Sequence, residues 1–233
     1  MTAPQAVILA GGRGTRLGQI THQTPKPMVK TGGKPFLEWL VLHLQKQGIS
    51  RFVMCIGYLS DQIRDYFGTG KKWNCHIEYS VEQELLGTGG AIKKAIPLLD
   101  DLFVVASGDN YLDLDYLDFF RAHEALGALG TLACWKVTRP DIVPNLLLDE
   151  KTRRVLDYAY RNPEGKNFLD SGIKIFSRRL FDYFPARDQF SLEADVMEKI
   201  AKMGLLAGYP IQDPPLDVGT PEGLAAVRKK LVI

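Results

Sequence analysis

The sequence predicts an α/β fold in which a doubly wound, mostly parallel sheet is covered by helices on both faces. The first supporting observation is that short apolar runs alternate with amphipathic segments through the first half of the 233-residue chain. The second is that these runs are continuously apolar, as are strands buried on both faces of a parallel sheet. Apolar residues make up 45% of the sequence, which is enough for one sizeable core.

The first half contains four strand–helix pairs. We predict strands at residues 6–10, 51–57, 76–81 and 102–107. We predict helices at residues 35–47, 60–67, 90–99 and 114–126, with Gly48 ending the first and Ser60 capping the second. Strands and helices alternating in this way form right-handed crossovers in a Rossmann-like sheet. Ligands of such sheets bind beyond the carboxyl ends of the strands, so the segments that follow residues 10, 81 and 107 are candidate sites.

The second half is richer in strands and less regular. We predict strands at residues 131–137, 145–148, 155–160 and 172–176, the middle two forming a hairpin around a charged turn. Helices are predicted at residues 192–202 and 221–231, with Pro221 in the first turn of the last one. No repeat or linker is evident. We therefore expect one domain over residues 1–233, with one half at 1–127 and a small β-rich half at 128–233.

Composition and motif content exclude several classes of function. The formal net charge is only +2, which argues against nucleic acid or an anionic membrane as a main partner. Cys55, Cys75 and Cys134 form no CxxC or Cys/His spacing, which argues against structural zinc and a disulfide framework. We find no signal-peptide pattern, no membrane-length apolar run, and no GxSxG or HExxH motif. We expect a cytoplasmic protein without covalent or histidine-based catalysis.

A glycine-rich loop follows the first predicted strand. Gly11, Gly12 and Gly14 permit positive φ and let backbone N–H groups approach an anion closely. Arg16 would add forked donors that match phosphate oxygens, and Arg13 is a second candidate. The spacing fits neither the dinucleotide fingerprint nor a Walker loop. A flexible glycine turn is the alternative for this loop taken alone.

Lys26 lies between two prolines. Pro25 and Pro27 fix φ and bias the preceding residue away from helix. This arrangement predicts extended, stiff backbone that holds the ammonium group of Lys26 in a set position. A surface turn is the alternative for this segment taken alone.

Six motifs in order resemble the sugar-phosphate nucleotidyltransferase family. GGRGTRL at 11–17 and PKP at 25–27 are followed by GGKPFLEWL at 32–40. EQELLGTGGA at 82–91 is similar to the family's base- and ribose-binding loop. GDN at 108–110 and DVGTPE at 217–222 are similar to its two metal-binding elements. The resemblance spans residues 6 to 231 and implies an enzyme that joins a nucleoside triphosphate to a sugar 1-phosphate.

The resemblance implies nucleotide-binding residues on the loops that follow the strands. They are Leu9, Ala10, Gly11, Gly12, Gly14, Thr15, Arg16, Lys26, Glu82, Gly87, Thr88 and Gly108. It also implies that Arg16, Lys26 and Asp109 are catalytic and that Asp109 and Asp217 bind Mg²⁺. Helix capping or turn formation is the alternative for either aspartate alone.

The chemistry of this transfer suits these residue types. The attacking oxygen belongs to a sugar phosphate that is already anionic at neutral pH, so no general base is required. Two polyanions must instead be aligned, which calls for cations and positioning. Arg16, Lys26 and Mg²⁺ would neutralise charge on the α-phosphate and the departing pyrophosphate. Carboxylate oxygens such as those of Asp109 and Asp217 are the ligands that Mg²⁺ prefers.

The implied sugar-phosphate site departs from the family pattern. Its residues are Asn110, Tyr160, Arg161, Asp170, Ser171, Gly172, Lys174 and Glu193. Relatives often carry Glu-Lys where this sequence has Tyr160-Arg161, so Arg161 would hold the phosphate and the hydroxyl contact would pass to Asp170. Strand alternation places Lys174 opposite Ile173 and Ile175 and predicts that it turns toward a cleft as a second phosphate ligand. Glu193 fits a sugar contact or a plain helix cap equally well.

Within the family, the sequence looks most like the D-glycero-D-manno-heptose 1-phosphate guanylyltransferase branch. Mannose-1-phosphate guanylyltransferases and glucose-1-phosphate thymidylyl- or cytidylyltransferases are the alternatives, and GDN at 108–110 is shared with thymidylyltransferases. Outside this class, a non-catalytic nucleotide-sugar sensor would be favoured by loss of Arg16, Lys26, Asp109 or Asp217, and all four are present. We expect a monomer or homodimer that binds a nucleoside triphosphate and a sugar 1-phosphate.

Overall fold

The computed structural model describes residues 4–14, 21–159, 162–218 and 221–231. Its strands are β1 (Gln5–Ala10), β2 (Lys30–Thr31), β3 (Lys34–Pro35), β4 (Arg51–Ile56), β5 (His76–Val81), β6 (Leu102–Ser107), β7 (Asn110–Tyr111), β8 (Gly130–Lys136), β9 (Leu146–Leu148), β10 (Val155–Tyr158), β11 (Phe168–Ser177), β12 (Leu206–Ile211) and β13 (Leu216–Asp217). Its helices are α1 (Phe36–Lys46), α2 (Ser60–Phe67), α3 (Gly87–Ala95), α4 (Tyr116–Leu126), α5 (Glu198–Lys202) and α6 (Pro221–Leu231). Short 3-10 turns occupy Lys26–Met28, Lys71–Trp73, Ile96–Leu98 and Arg178–Tyr183, and a π-helical turn at Glu193–Met197 runs directly into α5.

One large mixed sheet runs through both halves of the chain. β6, β1, β4 and β5 lie side by side in that order and run parallel. β11 runs antiparallel to β6 and continues the sheet, pairing also with β8 and β9. β12 pairs with β8 in parallel, and β10 pairs with β9 at the edge. The predicted α/β fold with a large, mostly parallel central sheet is therefore confirmed.

Apolar side chains cover the sheet on both faces, as the continuous apolar runs predict. In β1, Ala6 and Ile8 belong to one core cluster and Val7 to the other, because neighbouring residues of a strand face opposite ways. Leu40 and its neighbours on α1 pack into the first cluster. Ile92 of α3 packs into the second cluster, together with residues 192–201. Helices from both halves of the chain thus pack against the same sheet.

One predicted helix cap and two predicted helix starts differ from the structure. α2 begins at Ser60, but Leu59 occupies the cap position with a φ of 52°, and Ser60 makes no capping hydrogen bond. α3 begins at Gly87, earlier than predicted, because glycine tolerates the φ of 76° that opens the turn. α4 begins at Tyr116, later than predicted, because Asp115 caps it by accepting a 2.9 Å hydrogen bond from the N–H of Asp118.

The three cysteines are free thiols. Cys55 and Cys134 are buried and Cys75 is half-buried, and burial raises the pKa of each thiol. Cys55 and Cys134 thus behave as the small core residues that the sequence predicts. Within the described ranges, every helix is too short or too polar to cross a membrane.

Candidate active site

A cleft of about 350 Å³ opens at the carboxyl ends of the parallel strands. It lies where β1, β5 and β6 end, which is where the crossover rule places ligands of such a sheet. Its lining residues are Leu9, Ala10, Gly11, Gly12, Gly14, Lys26, Pro27, Glu82, Leu85, Gly87, Thr88, Ala91, Ser107, Gly108 and Asp109. Every described residue of the predicted nucleotide set is therefore brought to one cleft, while Thr15 and Arg16 lie outside the described residues.

The glycine loop packs tightly against two neighbouring segments. A Cβ atom on Gly11 would lie 2.6 Å from Oε1 of Glu82, and one on Gly14 would lie 2.8 Å from Cβ of Lys26. Gly14 also has a φ of 63°. An added Cβ on Gly12 would meet nothing within 4 Å. Glycine is thus required at residue 14, a Cβ on Gly11 would have to displace the Glu82 carboxylate, and Gly12 presents open backbone to the cleft.

Glu82 joins the glycine loop to the loop at residues 82–90. Its Oε2 accepts a 3.1 Å hydrogen bond from the N–H of Leu86. The side chain is buried beneath Gly11. Burial raises the pKa of Glu82, although the Leu86 hydrogen bond and nearby Lys94 oppose the shift. Glu82 therefore fastens the two loops together at the rim of the cleft.

Lys26 and Asp109 form an ion pair across the cleft. Lys26 is buried, whereas the side chain of Asp109 is 30% exposed. Pro25 is extended, as predicted, but Lys26 begins a 3-10 turn instead of continuing the extended chain. Pro27 is tolerated in this turn because the N–H it lacks has no partner in the first positions of a helix. The ammonium group is nevertheless held in a set position, on a carboxylate.

The backbone brings the second predicted metal ligand next to the first. β13 pairs antiparallel with β7, so Asp217 lies opposite Asn110. The N–H of Val218 donates a 2.9 Å hydrogen bond to the carbonyl oxygen of Asp109. Asp109 directly precedes β7, so the backbones of the two aspartates lie close together despite their distance in the sequence. The partly exposed Asp109 carboxylate is an oxygen donor of the kind that divalent cations such as Mg²⁺ accept, and the backbone of residue 217 lies beside it.

Asn110 connects the cleft to β11. Its Nδ2 donates a 3.1 Å hydrogen bond to the carbonyl oxygen of Ser171. Gly172 has a φ of 84°, and a Cβ there would lie 2.6 Å from the same Nδ2 atom. The pairing of β11 with β8 shifts register between Asp170 and Lys174. Asn110 thus packs against a β-bulge, which explains why glycine is needed at residue 172.

The predicted sugar-phosphate residues Asp170 and Lys174 form a buried ion pair. Nζ of Lys174 lies 3.0 Å from Oδ2 of Asp170, and their side chains are 4% and 5% exposed. Burial alone would lower the pKa of Lys174, but the carboxylates of Asp170 and Glu193 outweigh it and raise the pKa. Lys174 does lie on the face opposite Ile173 and Ile175. Its ammonium is buried beside Asp170, and its contact with an acceptor phosphate stays a prediction.

Asp170 is fully engaged within the second half. Its Oδ2 accepts a 2.9 Å hydrogen bond from the hydroxyl of Tyr158, and its Oδ1 accepts one of 2.9 Å from the N–H of Gly172. Ser171 is buried and makes the backbone contact to Asn110. Tyr160 and Arg161 lie outside the described residues. Direct binding of the acceptor by Asp170 and Lys174 stays a prediction, and both side chains already have partners.

The segment at residues 185–192 packs over the 82–90 loop, a contact that the sequence does not reveal. The N–H groups of Gly89 and Gly90 donate to the carbonyl oxygen of Phe190 at 3.1 and 3.3 Å, and the N–H of Phe190 donates to Leu86 at 2.9 Å. A Cβ on Gly89 would lie 2.2 Å from the Phe190 ring. Glycines of the GTGG sequence are therefore needed for packing against residues 185–192, which lie about a hundred residues away in the sequence.

Lys93 of α3 holds residues 186–188 of this segment in place. Its Nζ donates to the carbonyl oxygens of Ala186 at 2.7 Å and Arg187 at 3.1 Å, and it lies 2.8 Å from Oδ1 of Asp188. A lysine on a predicted amphipathic helix gives no sign of such a role in the sequence. These contacts hold the segment that leads to Glu193 against α3, whose first residues belong to the 82–90 loop.

Comparison with known proteins gives a consistent result. A family model described as Nucleotidyl transferase matches residues 5–232. A D-glycero-alpha-D-manno-heptose 1-phosphate guanylyltransferase from Aneurinibacillus thermoaerophilus is 31% identical over 228 residues, covering 97% of this chain and 98% of its own. One of the same name from Campylobacter jejuni subsp. jejuni serotype O:2 is 32% identical over 218 residues, covering 94% of this chain and 96% of its own. The crystal structure of HddC from Yersinia pseudotuberculosis complexed with GMP-PN superposes with a TM-score of 0.85 at 32% identity, covering 98% of this chain and all of that one.

Proposed function

Because the chain belongs to the nucleotidyl transferase family, we propose that it transfers the nucleoside monophosphate of GTP to a heptose 1-phosphate of the manno type. The products are a nucleoside diphosphate sugar and pyrophosphate. The proposal rests on the observation that the glycine loop, the Lys26–Asp109 pair and the 82–90 loop all line the same cleft. All three line the cleft at the carboxyl ends of β1, β5 and β6, where ligands of such sheets bind, which supports the proposal.

The cleft supports transfer by positioning and charge neutralisation. The open backbone at Gly12 lets N–H groups contact phosphate oxygens. Lys26 would shift from Asp109 toward the α-phosphate as substrate enters, and it would oppose the charge that develops during attack. The attacking oxygen is already ionised, so no side chain need remove a proton. We assign Mg²⁺ to Asp109 and Asp217, where it would supply further neutralisation of the phosphate charge.

The choice of base and sugar rests on relatives of the same length. Two of them are named heptose 1-phosphate guanylyltransferases, and the superposed HddC structure holds GMP-PN. Asn110, the residue shared with thymidylyltransferases, donates its amide to the carbonyl oxygen of Ser171. A sugar-nucleotide enzyme with three free thiols also suits the reducing cytoplasm.

A substrate matrix tests the proposal. Pyrophosphate release is measured for five nucleoside triphosphates against a panel of hexose and heptose 1-phosphates, each with Mg²⁺ and with EDTA. We expect the highest kcat/KM for GTP with a manno-configured heptose 1-phosphate, and no turnover in EDTA. Preference for another base or for a gluco-configured acceptor would replace the specificity assignment. Absence of pyrophosphate release with every pair would overturn the transferase assignment itself.

A further inference from the structure

The hydroxyl group of Thr88 is already committed to the second half of the chain. It donates a 2.5 Å hydrogen bond to Oε2 of Glu193, and it accepts one of 2.9 Å from the N–H of Leu192. A hydroxyl has one proton to donate. Thr88 therefore has none left for a nucleotide, although it lines the cleft and belongs to the loop that resembles a base- and ribose-binding element.

Glu193 receives a second hydroxyl on the same oxygen. Ser191 Oγ donates to Oε2 of Glu193 at 3.0 Å, while Ser191 Oγ itself accepts from the N–H of Ala194 at 3.2 Å. The capping role expected at this helix start therefore falls to Ser191. The other carboxylate oxygen of Glu193, Oε1, accepts no hydrogen bond from the residues that the structure describes, and the side chain is only half-buried. One oxygen is held and the other is free to accept a hydrogen bond from a ligand.

A buried cation contributes to the electrostatics of this carboxylate. Lys174 is paired with Asp170, and the charge of Glu193 also acts on it, since it helps to raise the pKa of Lys174. Glu193 itself is held at one oxygen, Oε2, by the hydroxyls of Thr88 and Ser191. A carboxylate held in this way presents its other oxygen in a restricted direction.

We propose that Thr88 is a positioning residue for the acceptor sugar: its hydroxyl orients Glu193, whose free oxygen binds an acceptor hydroxyl, and it does not contact the nucleotide. The proposal rests on the proposed function and deepens it. It makes a residue of the nucleotide-side loop responsible for acceptor affinity. Among the hydrogen bonds between these two segments, the one from Thr88 to Glu193 would then control acceptor binding.

Three variants separate this role from nucleotide binding. Thr88→Val keeps the shape of the side chain and removes the hydroxyl, whereas Thr88→Ser keeps the hydroxyl. Gln189→Ala is the control. It removes the 2.8 Å hydrogen bond from Gln189 to the carbonyl oxygen of Leu85, which joins the same two segments but does not involve Glu193. KM for GTP and for the sugar 1-phosphate is measured separately, and GTP affinity is measured by calorimetry. We expect Thr88→Val to raise KM for the sugar phosphate about tenfold or more, the usual effect of losing a hydrogen bond to a charged group. KM and affinity for GTP should change less than about twofold, which is the variation expected for a residue that does not contact the nucleotide.

Thr88→Ser should restore the acceptor KM, and Gln189→Ala should leave it near the wild-type value. Combining Thr88→Val with Glu193→Gln should add little to the effect of Glu193→Gln alone, because Thr88 acts through that carboxylate. A rise in KM for GTP with an unchanged acceptor KM would overturn the proposal, and so would fully additive effects in the double variant. Retained GTP affinity shows that Thr88→Val is folded. Failure of the proposed function would instead appear in the wild type, as absence of turnover with every sugar 1-phosphate.

Discussion

Lys26 and Asp109 come from segments more than eighty residues apart and meet as opposite charges in the cleft. The lysine is buried and the carboxylate is partly open, so the ammonium has little water of its own and depends on anions for its solvation. An incoming triphosphate offers more negative charge than Asp109 does. In the proposed reaction, Lys26 would exchange Asp109 for phosphate, and the released carboxylate would bind a divalent ion.

Replacing Lys26 with Met should damage the chemical step more than nucleotide binding. Loss of one group that stabilises developing charge lowers the rate by about 10²–10³, and we expect that loss in kcat. Lys30→Met is the matched control, since Lys30 lies exposed on β2 a few residues away. Steady-state kinetics with GTP distinguishes the outcomes, and circular dichroism checks folding. A higher KM for GTP with unchanged kcat would make Lys26 a binding residue only.

His123 should make the protein less stable in mild acid. It is buried, its Nδ1 lies 2.8 Å from Oγ1 of Thr131, and burial holds its pKa below the ordinary value of 6.5. A lowered pKa means that the unfolded chain takes up the proton first, so stability is present above pH 6.5 and is lost as the pH falls from there toward the folded pKa. The loss is at most about 1.4 kcal/mol per pH unit for one group.

Urea unfolding of the wild type and His123→Gln between pH 8 and pH 5 measures this effect. The difference in unfolding free energy between the two proteins should be constant above pH 7 and should move in favour of the variant below pH 6.5. Carboxylates titrate in both proteins and cancel in the comparison. Parallel stability curves over the whole range would show that His123 is protonated equally in both states.

At the level of elements, the sequence predicts the strands of the first half well, but it misses β12 and predicts long-range packing poorly. β4 and β6 are evident because they are almost entirely apolar, whichever partner they meet. The face of Lys174 follows from alternation, but its burial depends on Asp170 across a bulge that no local pattern announces. The contact between residues 185–192 and the 82–90 loop depends on the tertiary fold alone. Local patterns therefore locate the cleft, while the acceptor side depends on contacts between distant segments.

Gly90 tests the importance of that packing, because two physical effects predict opposite signs. Alanine within a helix stabilises by about 1 kcal/mol relative to glycine, yet a Cβ at Gly90 would lie 2.1 Å from the carbonyl oxygen of Asp188. Overpacking of this kind costs about 1–3 kcal/mol. We expect Gly90→Ala to lower the melting temperature. Gly12→Ala is the control, since its Cβ meets nothing within 4 Å and should leave stability unchanged; a rise for Gly90→Ala would mean that the 185–192 segment yields easily.

On the scale of the whole molecule, the two halves share one sheet. β11 of the second half pairs with β6 of the first, from Ile173 opposite Ala106 to Ser177 opposite Leu102. Ile173 and Ile175 also belong to the core cluster that contains Ala6. Separating the halves would expose the edge of β6 and strip apolar side chains from both cores. Residues 1–127 and 128–233 should therefore behave as one domain.

We expect both halves to unfold in a single cooperative transition, which tryptophan variants can test. Trp39 and Trp73 lie in the first half and Trp135 lies in β8 of the second. Trp135→Phe leaves fluorescence that reports the first half, and the double variant Trp39→Phe with Trp73→Phe leaves fluorescence that reports the second. In each variant, the urea midpoint from fluorescence should coincide with that from far-ultraviolet circular dichroism, as two-state unfolding requires. The comparison is made within each variant, so a change in stability caused by the substitution itself does not affect it. A fluorescence midpoint that departs from the circular dichroism midpoint in either variant would mean that β6 and β11 separate before the sheet unfolds, and the chain would then contain two units.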